Sequence, residues 1–288
     1  MQMPKKSIVM VGGPNSGKSN FLARLWAALA DDEGELEALT EPPEMAYIEY
    51  LVSHLNRGEF VGRSNPSMEN VPQHLELEVA IRGTKVQGAT LAVPDIRGEI
   101  WKAAVKTAEL PQRWYDLLSE SGLALLFVRA HSDDNHQPPD WVATQAQLMA
   151  GLDDPAKAGE TPTQVLLCEL LRMLESTLPR QGARPRVAVV VSAWDLLDPE
   201  FRARAPLDFL GDQFPLFAGR LHDTLSVDVA IFGLSILGAD VQDEDFKQRV
   251  LTSGLKGLGY VTVADGDVVR NIPDPTYPIQ WLIGHTAR

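Results

Sequence analysis

Along the chain, short runs of apolar residues alternate with stretches whose apolar positions recur every three or four residues. Five runs, at residues 8–11, 90–93, 123–128, 187–191 and 229–234, are apolar at successive positions. Strands covered by helices on both faces read this way, so these runs predict parallel strands inside a sheet. Phe21, Leu22, Leu25, Trp26 and Leu29 fall on one face of a helix; Ile48, Leu51, Val52 and Leu55 mark a second, and residues 165–174 a third. Strands alternating with helices predict an α/β chain with helices on both sides of a mostly parallel sheet, a three-layer α/β/α arrangement.

One segment follows a different period. Leu75, Leu77, Val79 and Ile81 alternate with Glu76, Glu78 and Ala80, the pattern of an antiparallel strand with one exposed face. It turns at Arg82–Gly83–Thr84 into the strand ending at Val93, so one antiparallel edge strand is expected. Residues 56–73 are rich in Gly, Pro, Asn and Ser and read as a mobile loop. Residues 131–162 read as an insert with a short helical piece near 141–152. Neither resembles a linker, and no internal repeat is visible, so residues 1–288 are expected to form a single domain. Within it, 239–288 is a C-terminal extension whose Pro-broken apolar end packs back on the core.

Composition narrows the function classes. The 288 residues carry a formal net charge of −13, which argues against a nucleic-acid-binding face and against charge-driven docking on anionic membrane. The single cysteine, Cys168, lies in an apolar helical run and reads as a buried thiol; no intrachain disulfide can form. The apolar N-terminal run leads straight into a glycine loop, so it reads as a core strand rather than a leader. No apolar stretch approaches a bilayer span of about 18 residues. A cytoplasmic protein without direct membrane insertion is expected.

The chemistry begins at residues 12–19, GGPNSGKS, the pattern G-x-x-x-x-G-K-[ST]. A phosphate needs backbone N–H groups converging on it with no bulky side chain between, and glycines together with a helix N-terminus provide that. Gly12, Gly13, Pro14, Asn15, Ser16 and Gly17 are the expected cradle. Lys18 would reach the β- and γ-phosphates, Ser19 would offer a hydroxyl to Mg²⁺, and Asn20 follows at the helix start. A strand before the loop and an amphipathic helix after it give the pattern its required context.

Three further motifs follow. LAVPDIRGE ends a strand with Asp95 and places Gly98 three residues on, a D-x-x-G in which Asp95 would hold Mg²⁺ and Gly98 would meet the γ-phosphate. VAVVVSAWD places Ser192, Ala193, Trp194 and Asp195 where guanine-specific proteins carry N/T-K-x-D, the Asp accepting from the base; a helix-capping Asp is the competing reading. IFGLSILG offers Ser235 beside the base.

Taken in order, GGPNSGKS, the antiparallel hairpin, DIRGE, SAWD and GLSILG resemble the TRAFAC class of P-loop GTPases, and more narrowly the bacterial double-GTPase proteins, over roughly residues 5–285. The resemblance implies GTP/GDP and Mg²⁺ as ligands, phosphoryl transfer to water, loops that sense the γ-phosphate, and protein partners acting as effector or activator. Three departures stand out. Glu99 occupies the place of a water-orienting Gln, so hydrolysis is expected to be slow, with Lys18, Gly98 and Glu99 as the catalytic set. The mobile loop lacks an obvious Thr for Mg²⁺, for which Ser64 or Ser67 could substitute, with ordinary loop serines as the competing reading. Ala193 stands where a lysine normally lies over the base. Arg63 and Arg97 are candidates for a charge-stabilising arginine. A catalytically weak nucleotide-binding scaffold and a P-loop ATPase or kinase are the alternative readings.

Overall fold

The computed structural model describes residues 6–61, 75–83, 88–93, 98–132, 135, 161–180 and 183–284. The expected helical piece near 141–152 and most of the loop 56–73 lie outside the described residues, as do Ser64, Ser67, Arg63, Asp95 and Arg97. The described chain runs β1 (Lys6–Val11), α1 (Lys18–Ala30), β2 (Leu36–Ala38), α2 (Met45–Asn56), β3 (Leu75–Ile81), β4 (Gly88–Val93), α3 (Glu99–Thr107), α4 (Gln112–Glu120) and β5 (Leu123–Arg129). It continues through α5 (Thr163–Thr177), β6 (Arg186–Ser192), a 3₁₀ turn (Trp194–Leu196), α6 (Pro199–Arg202), α7 (Pro206–Gln213), α8 (Pro215–Asp223) and β7 (Asp228–Ser235). It ends with α9 (Glu244–Ser253), β8 (Tyr260–Asp265), β9 (Val268–Ile272) and α10 (Tyr277–Gly284).

One nine-stranded sheet, in the order β2-β3-β4-β1-β5-β6-β7-β8-β9, forms the middle layer. The five apolar runs are its five central strands, β4, β1, β5, β6 and β7, all mutually parallel. Successive residues of each strand serve opposite faces. Ile8, Met10, Leu125, Phe127 and Val190 join a core roofed by α1, α2, α9 and α10; Val9, Val11, Leu126, Val128 and Val191 join a second core under α3, α4, α5, α7 and α8. The three-layer, mostly parallel α/β arrangement matches the sequence expectation.

The margins differ in detail. β3 pairs antiparallel with β4 as expected, but it is not the edge strand: three-residue β2 pairs antiparallel with it and takes that place. Leu36 of β2 is fully buried, and this contact justifies so short a strand. At the opposite margin β8 runs antiparallel to β7 and β9 antiparallel to β8, giving a second hairpin. α10 lies over the sheet with Ile279, Leu282 and Ile283 buried against the first core. No helix among the described residues is long and apolar enough to cross a membrane.

Candidate functional site

Parallel strands deliver their C-terminal ends, and the loops that follow, to one edge of the sheet. The loop after β1 turns at once into α1, with Asn15 at φ 55° and Gly17 at φ 96°, both left-handed. Gly17 also needs its missing side chain for space: a Cβ there would sit 2.9 Å from Ser192 Oγ at the end of β6. Gly12 is as confined, since a Cβ would approach Ser16 Oγ to 2.8 Å and Phe127 Cβ to 3.0 Å. Such a loop presents backbone rather than side chains, the form that an oxyanion cradle requires.

Lys18 is 3% exposed and its ammonium is held within the loop. It donates to the carbonyls of Gly12 at 2.7 Å and Gly13 at 2.8 Å, and to Ser16 Oγ at 3.2 Å. Ser16 Oγ in turn donates to the Gly13 carbonyl at 2.8 Å. Ser19 is half-buried in the first turn of α1, and Pro14 and Asn15 form the outer rim. Asn20 reaches further: its side-chain oxygen accepts from the Val61 N–H at 3.2 Å, which ties the chain after α2 to the loop.

Gly98 caps α3 at φ 81° and packs directly on the cradle. A Cβ there would meet Gly13 C and O at 2.5 Å and Lys18 Nζ at 2.7 Å. The structure thus brings the predicted Gly98 against the predicted Lys18. Glu99 follows as the exposed first residue of α3, where its charge suits the helix N-terminus.

Ser192 joins the cradle to the third motif. Its hydroxyl donates to the Ser16 carbonyl at 2.8 Å, across 176 residues of chain. Beyond it, Ala193 is left-handed at φ 59°, and the 3₁₀ turn sends the Trp194 and Asp195 side chains in different directions. Trp194, expected among the nucleotide contacts, turns its indole into the second core, edge-on to Phe209 and flat over Gly233. Its side chain supports the site from below rather than lining it. Asp195 faces the other way. Together with Gly17, Asn20, Phe60, Arg129, Ser192, Ala193, Leu196, Leu234 and Ile236 it lines a recess of about 440 Å³, open mouth included.

Asp195 is mostly buried, and that burial pushes its carboxyl above the usual carboxylate range; Asp240 adds to the rise. A hydrogen bond from Ser235 and the charge of Arg202 oppose it. Ser235 is fully buried and also accepts from the Gly238 N–H at 2.8 Å, so its hydroxyl bridges the β7 turn and the carboxylate. Tyr260 of β8 lies close by. Its phenol is pushed up by burial and then by the Asp195 charge, while a hydrogen bond from Arg202 acts in the opposite direction. Ser235 therefore enters the site through its side chain, as a partner of Asp195.

Sequence reasoning missed Phe60, Arg129, Leu234 and the Asn20–Val61 tie. Arg129 had a legible signal, since it is the one charged residue closing the apolar run of β5. For Mg²⁺ the fit rests on the confined loop and the half-buried Ser19; the second expected ligand, Asp95, is outside the described residues. A cation held largely by bound phosphates needs few protein ligands, and this donor set is of that kind.

A family model described as Double-GTPase 1 matches residues 9–282, nearly the whole chain. No protein of curated function matches. Among solved structures, the GTPase-like domain of Ski7 from S. cerevisiae, bound to GDP and inorganic phosphate, is 13% identical, with 80% of this chain and 42% of that one covered at a TM-score of 0.43. The bacterial selenocysteine-specific elongation factor EF-Sec is 11% identical over 89% of this chain and 30% of its own, at 0.39. The signal recognition particle receptor complex SRb-GTP/SRX from Chaetomium thermophilum is 12% identical over 85% and 97%, at 0.37. The chain spans less than half the length of the first two.

Proposed function

The chain belongs to the Double-GTPase 1 family, and from that premise we propose that it binds guanine nucleotide with Mg²⁺ and hydrolyses GTP slowly as a molecular switch. The observation that carries the reading is the Ser192–Ser16 bond together with the recess beyond it, which set the glycine loop and the half-buried Asp195 carboxylate side by side. A cradle selects phosphate and a carboxylate selects a base with two adjacent N–H donors; guanine nucleotides offer both.

In this reading the loop amides from Gly13 to Ser19 hold the phosphates. Lys18 exchanges its bonds to the Gly12 and Gly13 carbonyls for the β- and γ-phosphate oxygens. Gly98, already against Lys18 and Gly13, offers its N–H to the γ-phosphate and registers its departure. Ser19 and Asp95 would hold a Mg²⁺, which would supply charge neutralisation at the phosphates. Asp195 accepts from guanine N1–H and N2–H, held by Ser235. Hydrolysis without a helper then falls at roughly 10⁻⁴ to 10⁻² per second, and a protein partner, effector or activator, would read or hasten it.

One observation favours a second reading. Glu99 is exposed at the start of α3, one residue from Gly98. A carboxylate there could orient water, but its charge repels the negative γ-phosphate, which suits a scaffold that binds nucleotide without appreciable turnover. Thermal melting with Mg²⁺ and GTP, GDP or ATP, followed by phosphate release, separates the cases. Stabilisation by GTP and GDP with slow release supports the switch; stabilisation with no release above buffer selects the scaffold. Stabilisation by ATP alone overturns both in favour of a P-loop ATPase or kinase. Lys18→Ala is expected to weaken GTP binding by about 100-fold, since it removes several charge-assisted hydrogen bonds; an unchanged affinity would displace the site.

A further inference from the structure

We infer that Arg129 is the residue that clamps the face of the base, and so sets nucleotide affinity at the base end of this site. The inference rests on the guanine-nucleotide reading above and adds a residue that none of the sequence motifs contains. Arg129 closes β5 and pairs in register with Ser192, the residue that ties β6 to the cradle. Among the described residues lining the recess it is the only cation, as Asp195 is the only carboxylate. Its described hydrogen bonds leave much of the guanidinium unused: Nε donates to the His131 carbonyl at 3.0 Å, while the Arg129 backbone carbonyl accepts from Asn135 Nδ2 at 3.1 Å. The guanidinium is thus held by one edge, at a residue that lines both this recess and the neighbouring cavity beside Pro14, Ser16 and Asn135.

The rest of the lining defines what that guanidinium would meet. Ala193 contributes only a methyl group next to Arg129, and Leu196, Leu234 and Phe60 make the remaining wall apolar. A heterocyclic base presents an edge of donors and acceptors and a π-face. Asp195 satisfies the edge; the face needs a flat partner that tolerates the adjacent carboxylate. A guanidinium is planar, weakly hydrated and always charged, and it stacks on aromatic rings where an ammonium could not.

The test compares Arg129→Ala with the unaltered chain in equilibrium titrations of GDP, ADP and inorganic tripolyphosphate, with Mg²⁺ present. A stacked cation in a desolvated site is worth about 0.5–2 kcal/mol, so GDP affinity should fall about 3- to 30-fold while tripolyphosphate affinity stays within twofold. Arg129→Lys should recover only part of the loss, because charge returns without the plane. Equal losses for GDP and tripolyphosphate would place Arg129 on the phosphates and overturn the inference; so would GDP affinity unchanged in Arg129→Ala. Melting of each variant without ligand separates a folding defect, which would lower all three affinities together, from loss of a base contact. If the unaltered chain binds no guanine nucleotide, the functional reading itself fails; if it binds and Arg129→Ala binds equally well, only this inference does.

Discussion

Asp195 works against the fold that holds it. Burial raises its pKa, and Asp240 adds to the rise, while Ser235 and Arg202 only partly offset it. Between the ordinary value of 3.8 and the raised one, the native chain keeps a proton that the unfolded chain has released. Stability from this group therefore falls as pH climbs through that window, and the full cost is present at neutral pH. Asp195→Asn removes the charge but keeps a partner for Ser235. It is expected to melt above the unaltered chain at pH 7, with the difference closing toward pH 4. On the proposed reading the same substitution would also delete charge-assisted bonds to guanine, so GDP affinity should drop about 10- to 150-fold, with ADP affinity little changed. GDP affinity of the unaltered chain should also weaken on acidification at a pH above that of an ordinary aspartate, and the variant should show no such dependence. A melting temperature lower than that of the unaltered chain at neutral pH would contradict the burial argument.

Elements place these residues, and the contact between the 3₁₀ turn and β7 is among the tight ones. Trp194 lies flat on Gly233, where a Cβ would come to 2.5 Å from the indole. Gly233→Ala must move the ring, strand β7 or both, in a core without room to spare, and should cost about 1–3 kcal/mol in urea unfolding. Because Asp195 is the next residue after Trp194, the displaced indole should also weaken GDP binding more than tripolyphosphate binding. The five central strands were legible because burial on both faces leaves an unbroken apolar run, and α1, α2 and α5 because one apolar stripe recurs at helical spacing. β2 escaped notice for a physical reason: three residues carry no period, and its place depends on the partner strand. The β8–β9 hairpin did carry a signal, the two-residue Gly266–Asp267 turn with Gly266 at φ 58°, within a stretch read as a Pro-broken apolar end. At the site, Gly12, Gly17, Lys18 and Asp195 were legible from spacing. Phe60 was not, and Arg129 showed only as a charge closing an apolar run, since the fold alone carries β5 and the chain after α2 to the same recess.

The whole molecule joins two cores through one sheet, and the site draws on both. α1, which supplies Lys18, Ser19 and Asn20, packs on the first core; α3, which Gly98 caps, and Trp194 pack on the second. β1, β5 and β6 contribute alternate residues to each, so neither core can be lost while the other keeps its floor. Leu282 of α10 and Leu210 of α7 are both fully buried, one in each core. Truncating either to Ala should cost about 2–5 kcal/mol. If the sheet unites the chain in one cooperative unit, each variant lowers the midpoint of a single transition, and the double variant adds the two costs to within about 0.5 kcal/mol. On the proposed function GDP would bind only the folded chain, and at a hundred times its Kd it should restore about 2.7 kcal/mol to each variant alike. Two transitions in Leu282→Ala, with only one of them moved by GDP, would show instead that the α10 side opens independently of the nucleotide site. The shared central strands make the single transition the expected result, because opening the α10 face would strip the cover from β6, whose last residue holds the phosphate loop.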